Sequence, residues 1–533
     1  MPPGSAADEE NTGEQRALPL PSSAPFPESR KEMSETLTAR TVRGMKWSYL
    51  STIVHSVLQI GFSATLARLL APAAFGLVAM AGVVLSFGSY FARMGIGSAL
   101  VQKETLSREE VHAAFLLSTG LGTIFCAAMW LSAPAAALLF DQAGLIPVVR
   151  ALSLSFFITG IDTSAASLLR RRLDFRSLAF ISIASYIFGY GMVGVPMAYT
   201  GYGVWSLVAA TLSQKLLHGT LVHATVRHGL TLVRSWKRYT YFFSFGGRVS
   251  IISFLEFIGS TLDTMTIGRY IGASPLGLYN RAHMLAFMPM MKLGSGLSKV
   301  LLPSLSRIQS DISRLRRTYV SAIGVLGALI VPTCVSVSIV ADDVVLVLLG
   351  SQWTGAIPVL RLLAFAVAFA LLTHVAAVTC EATARLNIKI QIQVVHISLQ
   401  VFFFWLLFDY GLTGIATGLL IAETVRHLIY AVVVRRALKI SLRGQIRAYG
   451  AALLNALVIG SAMYGLSLVT DAADIPRVVR FALDLGTGAV LLGALILFSP
   501  LSNVREDVAR TLSRLEQGPV TTRLLRLLQH SSR

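Results

Sequence analysis

Charge is what this chain has least of. Only 14% of its 533 residues are Asp, Glu, Lys or Arg, against about 25% in a soluble domain. Hydrophobic residues make up 54%, and mean hydropathy is +0.66. A chain this poor in charge cannot cover a water-facing globule, so lipid is its expected solvent. Cysteine is scarce as well. Cys126, Cys334 and Cys380 stand singly in apolar segments, with neither metal spacing nor a disulfide framework, and read as small packing residues. His55, His374 and His396 are scattered singly, so no metal is expected. Residues 1–44 have no apolar core of the kind a signal peptide needs; polar and Pro-rich, they read as a disordered cytosolic tail. Bond-making motifs are missing too. There is no Gly-rich phosphate loop ending in Lys-Ser/Thr, no H-E-x-x-H and no G-x-S-x-G, and no large soluble loop to hold such a site. The chain therefore reads as a non-enzyme without a cofactor. Any driving force must come from an ion gradient, the substrate gradient or another chain.

What is present is a series of apolar runs, each long enough to cross about 30 Å of hydrocarbon. Fourteen spans are predicted, near 46–69, 76–100, 111–133, 146–168, 177–198, 203–223, 242–268, 274–296, 319–340, 357–379, 388–408, 412–434, 448–469 and 478–499. The net charge of +19 invites a nucleic-acid partner, but its distribution excludes one. With the N-terminus placed in the cytoplasm, Lys and Arg fall on the inner connections, as in Arg170, Arg171, Arg172 and Arg176, or Arg435, Arg436, Lys439 and Arg443. Outer loops carry Asp141, Asp342, Asp343, Asp471 and Asp474, with few bases. This is the positive-inside pattern, with both termini cytoplasmic. Val508, Leu512, Leu515, Leu524, Leu525 and Leu528 recur at helical spacing among arginines in the tail. Residues 501–533 thus read as an amphipathic helix on the inner leaflet or a solvated one.

The chain also repeats itself. Ile146-Pro147-Val148-Val149-Arg150-Ala151-Leu152 returns as Ile357-Pro358-Val359-Leu360-Arg361-Leu362-Leu363, 211 residues on. Thr65 to Ala81 is echoed by Thr266 to Ala282 at an offset of 201, with Arg68, Gly76, Leu77 and Ala81 meeting Arg269, Gly277, Leu278 and Ala282. A duplicated six-span unit of the parallel kind follows, as in many transporters. The expected organisation is a tail (1–44), an N-lobe (45–225), a C-lobe (226–440), two extra spans (441–500) and a second tail (501–533). Arg68 with Arg269, and Arg150 with Arg361, hold equivalent outer positions and suggest a shared structural task, such as headgroup anchoring or helix capping.

Ionisable residues inside a membrane each cost at least about 2.5–3.5 kcal/mol on insertion scales and so need a reason. Several are concentrated in spans 2, 7 and 8. Arg248, Glu256 and Asp263 share one stripe of span 7, within about 80° of Arg248 at 100° per residue. Span 8 adds Arg281 and Lys292, and span 2 adds Arg93. The cations suit a phosphate or pyrophosphate, which Arg grips with its fork of donors; snorkelling to the interface is the structural alternative for Arg93 and Lys292. Asp263 and Arg281, both toward the outer end, read as a salt bridge between neighbouring helices, static or gating. Glu423 reaches Arg426 and His427 within one helix, a self-satisfied cluster. Asp162 and Glu256 have the fewest basic neighbours in sequence, and are candidates, with Asp263, for ion coupling or gating.

The run from Asp263 to Ala282, D-x-x-x-I-G-R-x-x-G-A-x-x-L-G-x-Y-x-R-A in pattern, resembles a signature of bacterial polysaccharide exporters of the Wzx type. Leu301 to Gln309, Trp353 to Pro358 with Arg361 and Leu363, Gly44 to Ser48, and Leu66-Ala67-Arg68 with Phe75-Gly76-Leu77 resemble that family as well. The resemblance covers about residues 36–500. It implies the multidrug/oligosaccharidyl-lipid/polysaccharide superfamily: an all-α polytopic membrane protein with two six-helix lobes around a cavity lined largely by spans 1, 2, 7 and 8. It further implies flipping of an undecaprenyl-pyrophosphate-linked oligosaccharide across the bacterial inner membrane by alternating access. The pyrophosphate would sit among the cavity cations, and a polymerase and chain-length regulator would be partners. Two extra spans also occur in relatives, including lipid II flippases. A multidrug exporter is the second reading, though its cationic substrates suit an acid-rich cavity. A membrane-embedded glycosyltransferase or polymerase ranks third, for want of a large outer loop with carboxylates beyond Asp342 and Asp343.

Overall fold

The computed structural model describes residues 30–92, 96–103, 106–226, 250–383 and 385–498, with some side chains within these helices left undescribed. The described chain is all-helical. Its helices are α1 (Arg30–Leu69), α2 (Pro72–Ala92), α3 (Ile96–Gln102), α4 (Arg108–Phe140), α5 (Leu145–Arg171), α6 (Phe175–Tyr186), α7 (Val195–Tyr199) and α8 (Val204–Val226). They continue with α9 (Ser250–Tyr270), α10 (Ala273–Arg307), α11 (Ile312–Ile339), α12 (Ala341–Leu348), α13 (Ile357–Ala382), α14 (Leu386–Leu406), α15 (Gly411–Ala437), α16 (Leu442–Ala472) and α17 (Arg477–Phe498). Eleven helical stretches among the described residues are long and apolar enough to cross a membrane, one of them, Phe175–Tyr199, running continuously from α6 to α7. The α8 helix falls short because Gln214, Lys215 and His218 interrupt its apolar run, and α9 and α10 are described only in part.

Local chemistry sets the helix ends. Ser107 caps α4: its side chain accepts from Glu110 N at 3.2 Å, while Glu110 accepts from Ser107 N at 3.1 Å. This reciprocal pair satisfies two donors that the first turn leaves open. Asp174, Asp311 and Ser441 cap α6, α11 and α16 from one side only, each side chain accepting from a backbone N–H of the first turn. Gly272, at φ +109°, makes the bend between α9 and α10, a conformation that a Cβ would disfavour. Between α6 and α7 the chain runs as a π-helix, Ile187–Gly194. Large apolar side chains such as Leu131, Leu138, Trp405 and Leu457 are exposed, as a lipid-facing belt requires.

The two halves of the repeat meet face to face at one end. Gly76, on α2, lies so close to α10 that an added Cβ would fall 1.8 Å from the Ala273 carbonyl oxygen. Gly277, its counterpart 201 residues on, would place a Cβ 1.9 Å from the Pro72 carbonyl oxygen. Pro72 and Ala273 are themselves separated by 201 residues. Each half thus offers the same glycine to the same position of the other, the contact that a two-fold relation between repeats produces. The arginines obey the same reciprocity. Arg68 donates to the Val347 carbonyl at the end of α12. Arg269 donates to the Leu138 carbonyl at the end of α4, at 3.0 Å. Both put a cation on a helix C-terminus of the opposite half, where unpaired carbonyls and the helix dipole favour it. Trp353, fully buried, closes the seam: its Nε1–H donates to Ala67 O at 2.8 Å, and its ring meets Phe75 edge-on. The second arginine pair diverges, Arg361 pairing with Asp342 while Arg150 lies over the Trp130 ring.

Candidate functional site

Directly behind this seam is a cavity of about 370 Å³, within the usual range for a ligand site. Helices α1, α2, α9 and α10 contribute to its wall, but so do α6, the π segment and α8, through Tyr186, Tyr190, Leu207 and Thr211. Most of the wall comes from spans 1, 2, 7 and 8, as the resemblance implied, and the N-lobe's fifth and sixth spans complete it. The lining is rich in neutral polar groups: Gln59, Ser63, Ser86, Thr261, Thr264 and Asn280. Tyr186 and Tyr190 stack at 4.6 Å, and the Tyr190 hydroxyl meets Thr211 at 3.2 Å. The π segment makes this possible. Gly189 and Gly194 let it press against α8 near Ala210, and Gly191 lets it approach Phe62 of α1.

One cation stands among these groups. Arg281 donates from Nη1 to Ser63 Oγ at 2.7 Å and from Nη2 to Asn280 Oδ1 at 2.8 Å, with its guanidinium 4.5 Å from the Phe75 ring centre. Its Nε is buried without a hydrogen-bond partner. Among the described residues no carboxylate forms an ion pair with it. Neutral oxygens and an aromatic face hold it in place, leaving its charge available to an anion.

The expected Asp263–Arg281 bridge is absent. Asp263 accepts from the Tyr279 hydroxyl at 2.7 Å and from Thr264 N at 2.6 Å. Tyr279 and Arg281 are two residues apart, so they project about 200° from each other around α10; the face that meets Asp263 carries the tyrosine. Glu256 is half exposed and lies 2.9 Å from Lys389, which also binds Glu381. Asp162 Oδ2 lies 3.0 Å from His218 Nδ1, while its Oδ1 is buried and unpartnered. Lys215, one turn from His218, reaches Thr159 at 3.4 Å. Neither His218 nor Lys215 is singled out by the sequence, although both face α5. Glu423 pairs with Arg426 at 2.5 Å as expected, but His427 turns instead to Thr373 and Tyr449, and His396 comes to 3.3 Å from Glu423. Arg93 and Arg248 lie outside the described residues; Lys292 lies on α10, its side chain outside them. No group of His, Cys, Asp or Glu among the described residues is arranged to hold a metal.

Two pseudo-symmetric helical lobes around a polar cavity, with two further helices, define a polytopic membrane transporter. The family model described as "Polysaccharide biosynthesis protein" matches residues 65–358, and the chain belongs to that family. The succinoglycan biosynthesis transport protein ExoT of Rhizobium meliloti (strain 1021) is 32% identical over 335 residues, 62% of this chain and 67% of the relative. The lipopolysaccharide biosynthesis protein WzxC of Escherichia coli (strain K12) is 27% identical over 336 residues, 62% of this chain and 67% of the relative. The teichuronic acid biosynthesis protein TuaB of Bacillus subtilis (strain 168) is 25% identical over 474 residues, 85% and 95% of the two chains. Among solved structures, the lipid II flippase MurJ in an inward closed conformation superposes with a TM-score of 0.62 at 12% identity, over 85% of this chain and 98% of that one. An inward-facing multidrug resistance MATE family transporter gives 0.56 at 16%, over 72% and 94%. At these identities the two structures share the fold.

Proposed function

We propose that this protein flips an undecaprenyl-pyrophosphate-linked oligosaccharide from the inner to the outer leaflet of a bacterial inner membrane, by alternating access, for surface or extracellular polysaccharide. The observation that carries this reading is Arg281, a guanidinium inside a hydroxyl- and amide-lined cavity with no carboxylate among the described residues to neutralise it. A buried cation without a counter-charge is costly, and an anionic substrate removes that cost. The hydroxyls and amides around it suit sugars, which exchange hydrogen bonds with such groups. A cationic drug would meet the wrong charge. The positive-inside pattern supports cytoplasmic termini and a glycine seam on the outer side; in that orientation the seam would shut the cavity from the outside. Arg93, Arg248 and Lys292 would extend the cationic path toward the cytoplasm. Asp162, Glu256 and Asp263 remain the acids for coupling or gating, with Asp162–His218 the pair best built for a proton. A polymerase and a chain-length regulator would receive the product.

The test is a deletion strain whose lipids are analysed by mass spectrometry. Accumulation of one complete undecaprenyl-pyrophosphate-linked repeat on the inner leaflet, with loss of surface polysaccharide, is the expected result, reversed by the wild-type gene and not by Arg281→Ala at equal expression. Unchanged lipids together with new sensitivity to cationic drugs would sink the reading and favour multidrug export.

A further inference from the structure

The two extra helices carry a buried acid that the transport reading does not use. Asp484, on α17, is 1% exposed, and both its carboxylate oxygens lack a hydrogen-bond partner. The bases and hydroxyls around it are committed elsewhere. Arg480, one turn earlier, holds Asp343 of α12 through Nε and Nη2, both at 2.5 Å, and Asp471 of α16 through Nη1. Arg361 is taken by Asp342. Thr470 and Ser467 on α16 give their hydroxyl hydrogens to carbonyls of their own helix. Arg477 lies at the exposed start of α17. Asp484 lies one turn along α17 from Arg480, whose partners Asp343 and Asp471 make a cluster that already holds more acid than base. Below it, Leu491, Leu492 and Leu495 pack against Val340, Ile459 and Met463.

A carboxylate cannot sit at such a place without a cation or a donor. No set of side chains suited to a metal is present among the described residues, and a single carboxyl is a sufficient site for a proton. We propose that Asp484 is a proton-binding site, and that its neutral form is what seats the α16–α17 hairpin against α11 and α12. Asp484 lies seven residues from the start of α17, about 10 Å along the helix, on the seam side of the membrane. A proton would reach it past Asp471 and Asp343. The sign follows from the charge state: hairpin docking is strong when Asp484 is protonated and weakens as rising pH removes the proton.

The test uses the purified full-length chain in nanodiscs. Infrared difference spectra should show a protonated-carboxyl C=O band in the wild type that Asp484→Asn removes. Thermal melting should fall as pH rises from about 5 to about 8, and Asp484→Asn should flatten that slope. An unchanged band or an unchanged slope in the variant overturns the proposal. So does a wild-type Tm that responds to exchanging choline for sodium rather than to acid, since the carboxylate would then hold a metal cation. Should Asp484→Asn fail to fold, Asp484→Leu should still fold, with a pH-independent Tm near that of the acidic wild type. Failure of both variants where the wild type folds would mean that the ionised carboxylate is required, and would also overturn the proposal.

Discussion

Replacing Gly76 with alanine should open the seam. The new Cβ would fall 1.8 Å from the Ala273 carbonyl oxygen, where ordinary contact begins at 3.4 Å. The obstacle is backbone, not a side chain that can swing away, so α2 and α10 must separate by roughly 1.6 Å to relieve it, an overpacking strain of about 1–3 kcal/mol. Only the closed arrangement carries that strain. The equilibrium between closed and open seam should therefore shift toward open by about 5–150-fold. Gly277→Ala should do the same from the other half, since its Cβ would fall 1.9 Å from Pro72 O. The double variant should add little, because one separation relieves both clashes. The assay is thiol labelling in vesicles of known orientation. With Cys126, Cys334 and Cys380 replaced by alanine, Ser86→Cys places a reporter on the cavity wall. An impermeant reagent on the seam side should label it slowly in the parent and faster in either glycine variant. Equal labelling rates in parent and variants, with equal thermal stability, would refute the claim that backbone contact at these two glycines closes the cavity.

Three further predictions bear on other parts of the molecule. Arg281→Lys should retain the charge but lose the two-armed fork to Ser63 and Asn280; transport should fall partway, and Arg281→Ala should abolish it, measured by surface polysaccharide at matched expression. Trp353→Phe keeps the ring against Phe75 but removes the Nε1 hydrogen bond to Ala67, and should lower stability by about 0.5–1.5 kcal/mol in a thermal melt. Glu423→Gln leaves the Arg426 charge without its carboxylate in a buried site and should cost several kcal/mol, on the order of the 3–5 kcal/mol of a broken buried pair. Glu423→Gln combined with Arg426→Leu should recover much of that loss in the same melt.

The sequence made some of this legible and hid the rest for physical reasons. Long apolar runs cannot be disguised, so the helices fall near the expected spans. The repeat offset was visible, and it proved to be the pairing rule of the seam: Arg68, Pro72 and Gly76 face what Arg269, Ala273 and Gly277 require. The cavity wall was largely invisible. Ser63, Tyr186, Tyr190 and Thr211 are neutral, so they add little to the cost of insertion and send no charge signal. Depth along a helix could be counted, and Arg281 and Asp263 were rightly placed near the same end. The rotation of α10 against α9 could not, which is why Tyr279 rather than Arg281 meets Asp263. The Asp162–His218 contact spans 56 residues of sequence and follows only from the packing of α5 on α8.

The repeat also shows how one scaffold came to serve two purposes. His396 and Gln400 follow Tyr186 and Tyr190 by 210 residues, and Glu423 follows Thr211 by 212, close to the 211 that separates Ile146 from Ile357. The contacts join the same three helices, with the two partners exchanged. In the N-lobe Tyr190 meets Thr211, and Tyr186 packs against His55 and Phe62 of α1. In the C-lobe His396 meets Glu423, and Gln400 donates to Gly259 of α9 at 3.1 Å. The N-lobe has made this junction of three helices neutral and aromatic, and two of its tyrosines line the cavity. The C-lobe has filled the same junction with a buried carboxylate, two imidazoles close by and a guanidinium. A junction of hydroxyls and rings can exchange hydrogen bonds with a passing sugar at little electrostatic cost. A buried carboxylate tied to Arg426 is committed to its own partners, because removing either leaves a charge in low dielectric. The asymmetry of the transporter therefore resides in the chemistry of these equivalent positions and in the π segment of the N-lobe, whose counterpart in α14 is plain α-helix. The N-lobe junction gives the cavity Tyr186, Tyr190 and Thr211, and Arg281, reaching across from α10, is the C-lobe's charge in the cavity among the described residues.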